Sequence, residues 1–394
     1  NGNRNVTHYP LAVTEEQSSR LGIPPGPLAR QSAARLVLRY VATLCAAEQV
    51  RSPGRSLGTR AVVSSKYAVG PNEMVMIGDI LMPRAVREEL RRRAPQYITV
   101  VPDGSLHQLP LEALCVSNDP PRYLLDELPP IAYAPSAMIL AALEQRKATG
   151  DEKNLSLLSV GNPSYPEVEP AVNRSASDVA LADYLAAGGT LSPLPGTSSE
   201  CRKVASAMRS AGVSDIAMLQ DVNASERNVR QQVAGRKFVH LAAHGLVDQQ
   251  YQNLFGALAL TQPEDFQNAT TENDGFLSLF EIHGLPLGSC ELVILSACQT
   301  NVGPDRPLEA GSTMARAFLA AGARRVVCSQ WDVDDESTAE LMGAFAAGIG
   351  QSLRTGEVPN YAVALDEARK YVRGQPRWSS PYHWAPFVLI GPAR

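Results

Sequence analysis

Long apolar runs are missing from this chain. No uninterrupted stretch of about 18 apolar residues occurs, so nothing in it reads as a membrane-spanning helix, and no signal peptide is visible. An excess of positive charge is missing too. The 36 basic residues face 40 acidic ones, for a net charge of −4, which leaves no overall basic field to draw in nucleic acid or an anionic membrane. The local exception, Arg91-Arg92-Arg93, follows Glu88-Glu89 and reads as a solvated helix face. Cysteine is sparse. Six residues are scattered along the chain without CxxC spacing, which excludes a disulfide scaffold and favours a reducing, cytoplasmic compartment. Neither H-E-x-x-H nor paired cysteines call for a metal, and neither G-x-S-x-G nor G-x-x-x-x-G-K-[ST] is present, so serine hydrolases and P-loop enzymes are excluded. No cofactor is invoked. No 34-residue repeat is found either.

What is present is enough chain for about two or three domains of roughly 150 residues, with 44% apolar residues and only 6% aromatics. Residues 1–70 hold one helical pattern, Leu28 to Ala47, between Gly/Pro/Ser-rich stretches. They read as an N-terminal helical or linker segment, and the start at Asn1 rather than Met reads as a piece cut from a longer protein. Residues 71–235 form a first α/β portion, with a helix over 83–93, short strands at 97–101 and 155–160, and a helix over 197–210. In that helix Thr197 and Glu200 have the spacing of a capping box. From 236 to 394 apolar strands alternate with helical patterns, which implies βαβ units and a largely parallel sheet. The stretch 163–195 reads as a partly mobile loop, and with 262–275 it is a candidate to order on activation.

Two apolar segments stand out. Phe238-Val-His-Leu-Ala-Ala-His244-Gly and Leu292-Val-Ile-Leu-Ser-Ala-Cys298-Gln-Thr each read as a buried strand that ends on a reactive side chain. In an open parallel sheet, ligands gather outside the carboxyl ends of the strands, where both His244 and Cys298 would sit. A thiol is a strong nucleophile only as thiolate, and an imidazole can take its proton and later protonate a leaving amine. The histidine stands about 50 residues upstream, the spacing expected for caspases, and Ala297-Cys298-Gln299 matches the centre of their Q-A-C-[RQG]-G signature. Each residue alone would read as a buried free cysteine or a satisfied core histidine; their joint placement favours the dyad. The backbone N–H groups of Gly245 and Cys298 are candidate oxyanion donors. His240, an even number of residues before His244, reads either as a packed strand histidine or as an orienter of the dyad. A phosphatase would need C-x5-R, but the sixth residue after Cys298 is Pro304.

At these residues the chain resembles the CHAT domain, a caspase-like cysteine peptidase module of the clan that includes separase. The matching stretches are Val239-His-Leu-Ala-Ala-His-Gly, Asp274-Gly-Phe-Leu-Ser-Leu-Phe-Glu-Ile, Glu291-Leu-Val-Ile-Leu-Ser-Ala-Cys-Gln-Thr, Gln330-Trp-Asp-Val-Asp-Asp-Glu-Ser-Thr and His383-Trp-Ala-Pro-Phe-Val-Leu-Ile-Gly. Upstream they continue through Val101-Pro-Asp-Gly-Ser-Leu-His-Gln-Leu-Pro-Leu-Glu-Ala-Leu, so the resemblance covers about residues 70–394. It implies an α/β fold with a caspase-like, mostly parallel sheet flanked by helices, preceded by a smaller α/β pseudo-catalytic portion. It implies a bacterial, cytoplasmic cysteine endopeptidase with His244 and Cys298 as catalytic dyad, a protein substrate, and control by a sensor or tetratricopeptide-repeat module outside this chain. The competing class is a catalytically idle CHAT fold that acts as an interaction scaffold.

By the same resemblance, the strand after the nucleophile's helix and its loop line the substrate's P1 pocket. Ser329, Trp331, Asp332 and Asp334 are then the substrate-binding candidates: Trp331 as a wall, and Asp332 or Asp334 as acceptor of a basic P1 residue. The alternative for the aspartates is a turn followed by a helix cap before Glu336. Ala297 departs from some arginine-specific relatives, which place an acid before the cysteine.

Overall fold

The computed structural model describes residues 6–51, 67–146, 155–165, 191–246, 256–263, 273–297 and 314–394. These fall into two compact units, 1–98 with 103–131, and 99–102 with 132–394. The first unit holds helices α1 (Glu15–Leu21), α2 (Arg30–Arg51), α3 (Pro71–Leu81) and α4 (Arg84–Arg93), the short pair β1 (Ala12–Val13) and β2 (Gly26–Pro27), and the hairpin β4 (Cys115–Asn118) and β5 (Pro121–Tyr123). α1 begins on a capping box in which Thr14 and Gln17 satisfy each other's backbone N–H. Tyr40 of α2 fixes the hairpin from beneath, donating its hydroxyl to the carbonyl of Ala113 at 2.8 Å and accepting from the N–H of Cys115 at 2.6 Å.

The second unit carries an eight-stranded sheet. Its strands are β3 (Ile98–Val100), β6 (Ile131–Tyr133), β7 (Ser156–Pro163), β8 (Asp215–Asp221), β9 (Phe238–Ala242), β13 (Leu292–Ser296), β14 (Val326–Ser329) and β15 (Phe387–Ile390), in the order β3-β6-β15-β14-β13-β9-β7-β8. From β14 to β8 all neighbours are parallel, whereas β15 runs antiparallel to β14. β9, β13 and β14 are buried along their whole length, as expected where helices cover both faces of a parallel sheet. Helices α5 (Ala137–Gln145), α6 (Pro195–Ser210), α7 (Glu226–Gln232), α8 (Leu279–His283), α9 (Met314–Ala321), α10 (Asp335–Thr355), α11 (Tyr361–Arg373) and α12 (Pro381–Trp384) complete the unit. The boundary expected at residue 235 thus falls between β8 and β9 of one continuous sheet.

α6 lies close against β7. A Cβ on Gly161 would stand 2.6 Å from the Cys201 sulfur and 3.1 Å from the Thr197 carbonyl, so the missing side chain is what admits the helix. The capping box expected at Thr197 and Glu200 does not form. The helix starts earlier, with Pro195 in its first turn and no side-chain cap, because proline's fixed φ suits that position and needs no N–H partner. Thr197 then donates its hydroxyl to the Leu194 carbonyl and accepts from the Asn162 N–H, both at 2.7 Å. Glu200 is released to face the sheet.

A second, three-stranded antiparallel sheet is built from β10 (His244–Leu246), β11 (Ala257–Ala259) and β12 (Phe276–Ser278). Ala257, Ala259 and Phe276 form its buried core, with Tyr165, Leu191 and Leu246 packed around them.

Candidate active site

β9 and β13 are neighbours, and their register runs Leu292 against Phe238 through Ser296 against Ala242. The two strands therefore end side by side. β9 stops at Ala242, one residue sooner than the apolar pattern implied; Ala243 bends the chain, and His244 opens β10 of the small sheet, paired with Ala259. His244 is accordingly not on the same strand as His240, and the even-spacing argument for a shared face does not apply. Cys298 lies outside the described residues. It is the second residue after Ser296, as His244 is the second after Ala242.

His244 is half-buried, and its Nε2 lies 2.8 Å from the carbonyl oxygen of Ser192. A carbonyl only accepts, so Nε2 carries the proton and donates, which in the neutral ring leaves the lone pair on Nδ1. The Tyr165 ring lies tilted against the imidazole, with centroids 5.5 Å apart, and Tyr165 is itself tied down by its hydroxyl's bond to the Ala259 carbonyl at 2.8 Å. The imidazole is thus held in one orientation. Gly245 follows in β10, opposite Leu258.

Beneath the strand ends is a buried polar cluster that sequence reasoning missed. His240 is fully buried; its Nε2 donates to Glu200 Oε1 at 2.8 Å, and its Nδ1 lies 2.9 Å from Ser159 Oγ and 3.9 Å from Cys201 Sγ. Glu200, 1% exposed, also accepts the hydroxyl of Ser296 on the same oxygen. Burial by itself would drive the proton from the His240 ring, but its bonds to Cys201 and Glu200 and the charge of that carboxylate outweigh it, raising the pKa to about 10. The ring therefore holds its second proton well above the usual imidazole range. The sequence signal for it is faint: a lone histidine in an apolar strand and a glutamate whose spacing fits a helix cap.

The substrate-binding candidates fare differently. Ser329 is fully buried and donates its hydroxyl to the carbonyl of Ala297, the residue bonded to Cys298. Trp331, 4% exposed, donates its indole N–H to the Tyr382 carbonyl at 3.1 Å. Asp334, 6% exposed, caps α10 by accepting the Ser337 N–H at 2.9 Å. These three side chains are buried in this structure, and Asp334 occupies the cap position. Asp332 is half-buried. Of the remaining histidines, His383 is buried beside Ser337, with Nδ1 to Oγ at 3.1 Å.

Comparison with known proteins bears on this arrangement. The family model of the CHAT domain matches residues 75–392. The chain belongs to the CHAT domain family. The Arg-specific cysteine proteinase gingipain R has a similar structure, with a TM-score of 0.50 at 9% identity over 82% of this chain and 68% of that one. The Saccharomyces cerevisiae separase–securin complex matches with a TM-score of 0.40 at 16% identity, over 75% of this chain and 15% of that one. The fold of this CHAT domain is that of the caspase-like cysteine proteases. Tetratricopeptide repeat protein 28 of Homo sapiens is 37% identical over 78 residues, and that of Mus musculus 35% identical over 104. The matches span 20% and 26% of this chain but only 3% and 4% of those proteins. Among the described residues no helix is long and apolar enough to cross a membrane, and no group of three or more His, Cys, Asp or Glu side chains is arranged to hold a metal ion.

Proposed function

We propose that this CHAT domain is a cysteine endopeptidase acting on a protein substrate, with Cys298 as nucleophile and His244 as general acid and base. The observation that carries the reading is the in-register pairing of Ser296 with Ala242, which lets two adjacent strands release Cys298 and His244 two residues later from one sheet end. The Ser192 carbonyl supports it further, because a donor bond from Nε2 leaves Nδ1 to take the thiol proton. The thiolate then attacks the peptide carbonyl, forming the C–S bond, while the N–H groups of Gly245 and Cys298 receive the oxyanion. His244 passes its proton to the amine as the C–N bond breaks. Water, deprotonated by the same imidazole, hydrolyses the thioester, releasing the carboxylate and restoring the thiol.

Asp332 is the remaining candidate to receive a basic P1 residue, in keeping with the arginine specificity named for gingipain R. The relatives named for tetratricopeptide repeats favour a controlling repeat module outside this chain, and the scattered free cysteines favour a reducing compartment as its setting. The test is cleavage of a positional-scanning peptide library by wild type, Cys298→Ala and His244→Ala. Turnover by wild type and loss of at least about a thousandfold in both variants is expected; turnover that survives Cys298→Ala would overturn the reading.

A further inference from the structure

The two residues ahead of Cys298 are held from two different elements. Ser296 gives its hydroxyl to Glu200 of α6, and the Ala297 carbonyl takes the hydroxyl of Ser329 at the end of β14. The Glu200 oxygen that accepts from Ser296 also accepts from His240, two residues before the end of β9. One carboxylate therefore ties together the last residue of β13, two before Cys298, and His240 near the end of β9. Ser159 of β7 closes the other side of the imidazole. A buried ion pair is a poor device for stability, since well-packed apolar side chains commonly replace one at no loss. What such a pair does well is fix geometry, because it tolerates one arrangement and penalises every other.

We propose that Glu200, acting through His240 and Ser296, is the positioning residue of the active site, setting where β9 and β13 release His244 and Cys298 toward each other. The inference rests on the Cys298/His244 reading above. Glu200 touches neither substrate nor the reacting atoms; its effect is on the distance and angle between thiol and imidazole, and reaction rates are steep in both.

Three variants test this in the full chain. Glu200→Gln keeps the shape but removes the charge, Ser296→Ala removes one hydroxyl, and Ser296→Thr restores it. Val372→Ala, a cavity in α11 away from the site, serves as a control matched for loss of thermal midpoint. Two readouts are taken: kcat and KM on the best library peptide, and the pH profile of Cys298 alkylation by iodoacetamide, resolved by peptide mapping. The expected result is a kcat about tenfold lower in Glu200→Gln and Ser296→Ala, below the roughly hundredfold that a 1 Å displacement can cost, with KM within about twofold. Alkylation of Cys298 at neutral pH slows in the same two variants, recovers in Ser296→Thr, and is unchanged in Val372→Ala. Should Glu200→Gln fail to fold, the two Ser296 variants carry the test. Wild-type rates in Ser296→Ala, in a protein whose turnover Cys298→Ala abolishes, would overturn the positioning role alone. A wild type with neither Cys298-dependent turnover nor His244-dependent alkylation would overturn the peptidase reading, and this proposal with it.

Discussion

The two ends of the central sheet both bury a charged group, and they use it differently. At the amino ends of β13 and β14 the group is Arg325. Its Nε donates to the Pro392 carbonyl at 3.0 Å, its Nη1 reaches the carbonyl and carboxylate of Glu291 at 3.0 and 2.9 Å, and its guanidinium lies 4.1 Å from the Tyr361 ring centroid. At the carboxyl ends the group is His240 with Glu200. An arginine cannot lose its proton in a protein, so the donor of the first clamp keeps its charge at every accessible pH. The second is made of two titratable groups, and it sits directly under the strand ends from which the proposed dyad leaves. Both clamps contribute to stability, but only the second lies beneath the strand ends that carry the proposed dyad.

The largest effect that would break this contrast lies at the amino end. Arg325→Met should cost about 3–5 kcal/mol, since it removes the donor to the Pro392 and Glu291 carbonyls and the nearer cation of the Glu291 carboxylate, measured as a fall in urea midpoint at unchanged slope. The rate of Cys298 alkylation in the protein that remains folded should not change. A loss below about 1 kcal/mol, or slowed alkylation, would mean that the two ends are not separable in this way.

A pH series sharpens the contrast, because the imidazole at the carboxyl end can lose its charge and the guanidinium at the amino end cannot. The folded-state pKa of His240, about 10, lies above its ordinary value of 6.5. Over that interval the native state holds a proton that the unfolded chain has lost. The stabilisation is complete below about pH 6.5 and is given up as pH rises through about 10, at no more than about 1.4 kcal/mol per pH unit for the one proton. Unfolding free energies measured from pH 6 to 10 should therefore fall less steeply in Glu200→Gln than in wild type, because the amide no longer holds the imidazolium. Parallel curves would remove His240 from the account.

Much of the framework is legible in the amino-acid sequence. The apolar runs that become β9 and β13 differ from their surroundings by burial on both faces, and the helix cap read as the alternative before Glu336 is where Asp334 caps α10. The dyad candidates follow from where those runs stop. What was not legible depends on contacts distant along the chain. Glu200 and Thr197 satisfy a local capping rule, and only the approach of α6 to β7, allowed at Gly161, turns the carboxylate toward His240 and Ser296. Likewise, the departure of His244 into a separate sheet depends on its pairing with Ala259, and the antiparallel direction of β15 on its register with β14. Trp331 reads as a pocket wall and Ser329 as a substrate-binding candidate; their partners Tyr382 and Ala297 come from elsewhere in the chain.

The smallest effect concerns the segment after β14, where two aspartates of equal appeal in the sequence part company. Asp334 accepts the Ser337 N–H while the Ser337 hydroxyl donates back to the Asp334 carbonyl at 3.2 Å, so the first turn of α10 is closed on itself. Asp334→Ala should cost about 1 kcal/mol, the ordinary price of a lost cap, and Asp334→Asn much less, since the amide oxygen can accept the same bond. Neither should alter which P1 residues are cleaved. Asp332→Asn should do the reverse, leaving the unfolding midpoint nearly fixed and lowering the preference for arginine or lysine at P1. If Asp334→Ala instead abolished that preference in a protein of undiminished stability, the carboxylate would have to leave the helix terminus to meet the substrate, and α10 would have to begin one turn later in the working enzyme.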